Sequence, residues 1–510
     1  MRTRNAIISS CFGILNVLFK MFAAFFIRKI FLQHFSVEYL GIYYIFNSIF
    51  GILIALDCGI SSSVFFKIYK PIEQSDEKGI ASVFSLIRLV YTIRGFAVFI
   101  IGTCICFFLP TFVKITTLDF GYIKKCYIIY MLCNSTNYLV IFYQFFLESV
   151  QKRYIVSIID MFVYMIGLVA KIYFIVTNKY VFYLFVEAST GIIVNIICCF
   201  MTYKMYPYLR GKIIIRDEDK KGFFKMIGMA FHSLSTVIVT YTDAFLISIF
   251  AGVYQTGLYG NYKTLNNTVQ AFMSQISSST KDSMRSLIAT GDKKGITNQL
   301  YNLTFLMFWI GGICCVCLSG LSSRFISIWL GDEFLLPPFV IISTAIALYL
   351  SFQNFFIVDS YYATECFVKD IRSPIKEIMI NLVLSVLLGM KFGIFGIMVG
   401  TIAYYISQMF FRIYKLFNNK LKGFGKRVII EKMIKYTVTI IICSFVAYLA
   451  SNYTILSKKI FDFLIWALAF FFGTNLVFFL LFHRTKEFCF FKDLMILFLQ
   501  KKLKNKKKII

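Results

Sequence analysis

The sequence predicts an all-α polytopic membrane protein, and three observations carry that prediction. Hydrophobic residues fill 59% of the 510 positions and charged residues only 15%, where a soluble domain is about 45–50% apolar and about 25% charged. The apolar residues form continuous runs of the roughly 20 residues that a helix needs to cross a bilayer, not the alternating pattern of a spanning β-barrel. Lys and Arg number 53 against 25 Asp and Glu, a net charge of +28, and they gather in the breaks between the runs. This composition excludes a disordered chain and a soluble globular enzyme.

Runs of spanning length fall near 7–32, 40–66, 89–113, 126–150, 155–177 and 181–203. After a basic break they resume near 226–250, 257–280, 298–318, 338–364, 377–391, 394–414, 433–451 and 461–482. That makes fourteen spans, the pair around 377–414 separated only by Lys391, Phe392 and Gly393. An even number puts both termini on one side. Basic residues favour the termini and the segments after even-numbered spans by about four to one, which predicts an N-in, C-in topology. The same spread argues against nucleic-acid binding, since no single domain collects the charge.

Two cytoplasmic segments stand out. Residues 204–225 are basic and divide the chain after six helices. The tail 483–510 ends in Lys501, Lys502, Lys504 and Lys506 to Lys508, behind an aromatic-rich apolar stretch from Phe488 to Leu499. Such a stretch is expected to lie in the membrane interface, with anionic lipid at the cytoplasmic face as partner.

The break at 204–225 separates two related halves. Val37-Glu38-Tyr39-Leu40-Gly41-Ile42-Tyr43 finds a counterpart 216 residues later in Val253-Tyr254-Gln255-Thr256-Gly257-Leu258-Tyr259. Six helices lie between the copies, so both have the same orientation, which is the signature of a parallel repeat about an axis along the membrane normal. The expected organisation is an N-lobe of six helices over 1–203, a linker at 204–225 and a C-lobe of six helices over 226–417. Two extra helices over 433–482 and the basic tail 483–510 complete it.

Polar residues inside the spans are the candidate site. Ser9, Gly13, Asn16, Lys20 and Ala24 recur at three- and four-residue intervals along the first span, and Arg28 lies two turns beyond Lys20. Span eight carries Gly260, Thr264, Asn267, Ala271, Ser274, Gln275 and Ser278 on one face beside Lys263, and span seven carries His232, Thr236 and Asp243. Small and hydroxyl residues in such helices are commonly packing surfaces. Charges cost about 2.5–3.5 kcal/mol at a helix centre and need a partner, a wet cavity or a function. The basic candidates are Lys20, Arg28, Arg94, Lys171 and Lys263, and the acidic ones Asp57, Asp160, Asp243 and Asp359. Lys171, near the outer end of its span, reads as a side chain that snorkels to the surface. Lys20 and Lys263 read as cavity-lining cations suited to an anionic substrate; the acidic residues could bind Na⁺ or protons.

Enzyme signatures are lacking. Asp217-Glu218-Asp219 holds a D-x-D, but among Lys and Arg in a short loop it reads as a solvated cluster. The sequence has no P-loop, and its 14 Cys and 3 His have no zinc spacing, so no metal or cofactor is expected and the cysteines read as small core residues.

Glu38-Tyr39-Leu40-Gly41-Ile42-Tyr43, then Leu56-Asp57-Cys58-Gly59-Ile60-Ser61-Ser62-Ser63, then Lys67-Ile68-Tyr69-Lys70-Pro71 resemble the first two helices of bacterial polysaccharide biosynthesis flippases. These are Wzx-type oligosaccharide transporters of the MOP superfamily, relatives of the MATE exporters and the lipid II flippase. Cys58 departs from the pattern by intervening between Asp57 and Gly59. Thr242-Asp243 with Gly257-Leu258-Tyr259-Gly260-Asn261-Tyr262 resembles the start of the second lobe, and Gly393-Ile394-Phe395-Gly396 with Gly400-Thr401 the start of helix twelve. The resemblance implies a MATE/MOP-like fold in the bacterial cytoplasmic membrane. It implies translocation of an undecaprenyl-pyrophosphate-linked oligosaccharide by alternating access, for O-antigen, capsule or another exopolysaccharide. Lys20, Arg28 and Lys263, with Arg94 as a fourth, would hold the pyrophosphate; Asp57 and Asp243 would serve Na⁺ or H⁺ coupling or gating; a polysaccharide polymerase complex would be a partner. The competing reading on the same fold is an ion-coupled multidrug or cation exporter, which would want an acidic, aromatic cavity instead.

Overall fold

In a bilayer the backbone must satisfy its own hydrogen bonds, and runs of apolar residues do so as helices. The computed structural model describes residues 2–54, 67–69, 71–114, 116–210, 216, 227–364, 366, 370, 372–422, 425–454 and 456–506. Asp57 and the Asp217-Glu218-Asp219 cluster lie outside the described residues, as do the side chains of Ser9, His232, Gln275 and Ser278.

The chain runs α1 (Arg2–His34), α2 (Val37–Ile54), α3 (Glu77–Ile105), α4 (Phe120–Tyr138), α5 (Ile141–Ser149), α6 (Arg153–Val176), α7 (Tyr180–Met205) and α8 (Ile227–Phe250). It continues with α9 (Val253–Thr290), α10 (Lys293–Trp329), α11 (Pro338–Ala363), α12 (Arg372–Asn419), α13 (Lys426–Ser451), α14 (Lys459–Phe482) and α15 (Lys486–Lys506). Strands are absent among the described residues. Among the described residues, nine of these helices, counting α3 through its extension to Phe112, are long and apolar enough to cross a membrane. Large apolar side chains such as Ile166, Val169, Phe200, Phe472 and Leu480 stand exposed along them, as lipid-facing surfaces do. The chain is an all-α, multi-pass membrane protein.

Several expected boundaries shift, each for a local reason. The span expected at 89–113 begins at Glu77, where Asp76 accepts a hydrogen bond from the Gly79 amide and caps the helix. Those expected at 257–280 and 298–318 extend to 253–290 and 293–329, because charged helix ends outrun the apolar core that hydropathy detects. The span expected at 126–150 is two helices, α4 and α5, broken at Leu139 and Val140. As one straight helix the 48 residues of α12 would run about 72 Å, far more than one crossing needs. Gly393, at φ +55°, breaks it where the sequence separates two spans.

The chain resolves into two compact units, Met1–Gly260 and Asn261–Ile510. In the first, α1 packs on α6, α6 and α4 on α7, α3 on α4, and α8 on α2. Its core is strongly aromatic, with Phe46, Tyr127, Phe142, Phe146 and Tyr180 almost wholly buried. The two copies of the repeated heptapeptide meet here. A β-carbon on Gly41 would overlap the carbonyl oxygen of Val253, and one on Gly257 would overlap the carbonyl oxygen of Val37. Tyr44 completes the crossing by donating to the Gly260 carbonyl at 2.7 Å, again across 216 positions.

In the second unit α10 packs against α11, α13 and α14, and α11 against α12. Phe308 stacks on Tyr436 at 4.3 Å between centroids and lies 4.7 Å from Phe478. Gly312 and Gly320 let Phe478 and Phe470 approach α10 closely, so α13 and α14 are joined to the unit by its core. The stretch expected to lie in the interface forms α15, which turns Phe488 and Phe491 toward that core and leaves Phe490, Leu494, Met495 and Leu497 exposed.

Candidate functional site

Five intramembrane charges of the first unit, Lys20, Arg28, Asp160, Lys171 and Glu187, form one polar seam across α1, α2, α6 and α7. On α1, Asn16 and Lys20 are one helical turn apart and share a face. The Asn16 amide and the Lys20 ammonium both donate to Asp160 Oδ2 of α6, each at 2.6 Å. Asp160, Tyr164 and Lys171 follow one face of α6 at spacings of four and seven. Tyr164 therefore lies between two cations, with Lys20 5.2 Å and Lys171 4.7 Å from its ring centroid. Lys171 pairs with Glu187 of α7 at 2.6 Å, and Glu187 also accepts from the Tyr43 hydroxyl at 3.3 Å. Beside this, Arg28 donates to the Tyr44 hydroxyl at 3.1 Å and lies 5.5 Å from its ring centroid.

Burial grades along the seam. The Lys171 side chain is 2% exposed, whereas those of Lys20 and Asp160 are 37% and 28% exposed. The Lys171 ammonium is sealed, while its partner Glu187 is 28% exposed, as Asp160 is at the other end. The expectation that Lys171 snorkels is therefore corrected: Glu187 neutralises it inside the protein, which removes the drive toward water. Three cations against two carboxylates leave an excess positive charge, with Lys20 at the open end.

The remaining candidates are placed differently. Arg94 donates to the Ile54 carbonyl at 2.9 Å and stacks on Tyr138 at 4.4 Å, a position that ties α3 to the end of α2. Asp243 is buried on α8. Lys263 is half-buried on the part of α9 that belongs to the second unit. Asp359 is buried on α11 of that unit. The seam thus brings together Lys20, Arg28, Asp160 and Lys171, the last expected at the surface, and adds Tyr43, Tyr164 and Glu187, which sequence reasoning did not assign to the site. A signal for Glu187 exists: it is the lone carboxylate in an apolar run.

Among the described residues no group of His, Cys, Asp and Glu could hold a metal ion. The second unit has its own buried pair, Arg412 to Glu377 at 3.1 Å, with both side chains fully buried. Arg412 lies 4.6 Å from the Tyr361 ring centroid, and the Tyr361 hydroxyl donates to Asp370 at 2.8 Å.

No family model matches the sequence, and no curated protein matches it. Solved structures do. The chain is similar to the lipid II flippase MurJ in an inward closed conformation, with TM-score 0.65 and 16% identity, over 92% of this chain and 98% of that one. This chain shares that fold. A multidrug resistance MATE family transporter of the MOP superfamily, in its inward-facing conformation, aligns with TM-score 0.57 and 12% identity, over 81% of this chain and 98% of that one. A Vibrio cholerae MATE transporter aligns with TM-score 0.52 and 12% identity, covering 82% of this chain and 99% of its own. At these identities the MOP likeness is one of fold. It agrees with the all-α polytopic class expected from the sequence.

Proposed function

We propose that this chain is a flippase that moves an undecaprenyl-pyrophosphate-linked oligosaccharide across the bacterial cytoplasmic membrane by alternating access, for surface polysaccharide synthesis. The observation that carries this reading is the half-open Lys20–Asp160 pair at the end of a seam with excess positive charge. A pyrophosphate brings about two negative charges and cannot be buried without counter-charges. Lys20 supplies one by exchanging Asp160 for a phosphate oxygen. Arg28, held by Tyr44, supplies a second, and Lys263 and Arg94 are the further candidates. Asp160 is released by that exchange and becomes able to take up a proton or Na⁺, a role shared with Asp57 and Asp243. Six-helix lobes at 1–203 and 226–417, the helix pair at 433–482, N-in and C-in topology, anionic lipid on the basic tail and a polymerase complex as partner belong to the same reading.

The exporter reading asks for an acidic cavity that attracts cationic drugs. Lys20, Arg28 and Lys171 on the seam weigh against it. The deciding experiment expresses the chain in a flippase-deficient strain that accumulates lipid-linked repeat units on the cytoplasmic face. Restored surface polymer, lost in Lys20→Gln and Lys263→Gln variants, supports the flippase. Drug efflux from a sensitised strain without restored polymer overturns it.

A further inference from the structure

The second unit contains a cavity of about 320 Å³ between the end of α10 and the turn from α13 to α14. Four hydroxyls line it: Ser323 and Ser327 of α10, Ser451 at the end of α13, and Thr454 in the turn. Two ion pairs frame it. Arg324 donates to Asp462 and to the carbonyl oxygens of Ser451 and Tyr453, and lies 5.1 Å from the Trp466 ring centroid. Lys459 donates to Asp332 and to the Ser327 hydroxyl, both at 3.0 Å, and Ser327 in turn donates to Asp332.

The charges balance inside the lining, and that decides the class of occupant. An anion would have to displace Asp332 or Asp462, and a cation would have to displace Lys459 or Arg324. A neutral polyhydroxy ring displaces neither. Each of its hydroxyls can donate to a carboxylate oxygen and accept from an ammonium or a serine, because a hydroxyl is at once donor and acceptor. The volume lies at the small end of the range of about 300–1,000 Å³ found for small-molecule sites, enough for one ring. We propose that this cavity is a binding site for a single neutral sugar residue. That the sugar belongs to the cargo rests on the flippase reading; that the cavity takes a sugar does not.

The test uses the full chain, purified into nanodiscs, with the methyl glycosides of glucose, galactose and mannose and with N-acetylglucosamine as probes. Saturation-transfer NMR and Trp fluorescence, which includes Trp466 beside Arg324, report binding. At least one probe is expected to bind saturably. Thr454→Phe, which fills the cavity from an exposed position, and Ser327→Ala, which removes one hydroxyl, are each expected to weaken that binding about tenfold or more, worth about 1.4 kcal/mol. Two variants guard against misfolding in either one, and an unchanged melting temperature qualifies each. Failure of every probe to bind overturns the site, as does binding that both variants leave intact. So does competition by inorganic phosphate or glycerophosphoethanolamine at the same place, which would mark a headgroup site. A chain that binds no probe yet restores polymer in the flippase-deficient strain removes this site and leaves the flippase reading standing. One that binds sugar here and restores no polymer does the reverse.

Discussion

Gly41 and Gly257 occupy equivalent places in the two copies of the internal repeat, and each faces the carbonyl oxygen of the other copy's valine, Val253 or Val37. The relationship is reciprocal, as expected where two like segments cross about a local two-fold axis. Neither carbonyl belongs to a flexible side chain, so a β-carbon at either glycine must push two helices apart. Gly41→Ala and Gly257→Ala are each expected to destabilise the protein by about 1–3 kcal/mol, the usual cost of overpacking, and larger residues by more. Gly13 has open space around the place where its β-carbon would be, so Gly13→Ala should be neutral or stabilising by up to about 1 kcal/mol. Thermal unfolding in detergent of the three variants checks this; equal melting temperatures for all three would refute it.

The spans were legible in the sequence because a bilayer imposes one physical rule, continuous apolarity over a fixed length, and hydropathy reads it directly. The α4–α5 break was not, because Leu139 and Val140 carry no glycine or proline signal, although Val140 departs from helical geometry at φ −132°. The cations of the site were legible one by one, since a charge within an apolar run is conspicuous. Their pairing was not. Asp160 lies 140 residues from Lys20, and nothing local to either residue encodes the contact. Lys171 was misread as a snorkeller for the same reason: its partner Glu187 sits on the next helix, beyond the turn at Asn178, where φ is +55°.

Lys171 and Lys20 should behave differently when neutralised. Lys171→Gln removes a fully buried cation and leaves Glu187, itself 28% exposed, without it. The loss should therefore exceed that of a surface pair but fall short of the about 3–5 kcal/mol for a wholly buried one. Lys20→Gln acts at a half-exposed pair that solvent can compensate, so stability should change by about 1 kcal/mol or less. Transport should respond in the opposite order. Under the proposed flippase function, loss of a charge-assisted hydrogen bond from Lys20 to the cargo phosphate, worth about 1.5–3 kcal/mol, predicts a 10- to 100-fold loss of export in Lys20→Gln at near-normal protein abundance. Melting temperatures and polymer export measured on both variants separate the two roles. A Lys20→Gln protein that exports normally would remove Lys20 from the site.

Arg412 and Glu377 form a fully buried ion pair in the second unit. Glu377→Gln should destabilise by about 3–5 kcal/mol because the guanidinium keeps its desolvation cost and loses the carboxylate. Replacing both residues, as Arg412→Met with Glu377→Leu, removes that cost together with the attraction. The double variant should therefore be more stable than Glu377→Gln alone. A double-mutant cycle on unfolding free energies measures the coupling; additive effects of the single substitutions would mean that the pair contributes nothing.

Acid should cost the chain stability through Asp370. Burial pushes this carboxyl up, but hydrogen bonds from Ser373 and Tyr361, with Lys415 nearby, outweigh it and hold the group below its ordinary value. A carboxyl lowered on folding contributes stability that is complete above its unfolded value of about 3.9 and is lost as pH falls through that value toward the folded one. Asp370→Asn cannot titrate. Between pH 6 and pH 3 the wild-type chain should lose more thermal stability than Asp370→Asn, and the two curves should converge at the acid end. The Tyr361→Phe variant, which keeps the ring against Arg412 but removes a donor to Asp370, should shift the wild-type decline to higher pH. Parallel curves for wild type and Asp370→Asn across the whole range would show that the hydrogen-bonded carboxylate contributes nothing to the acid response.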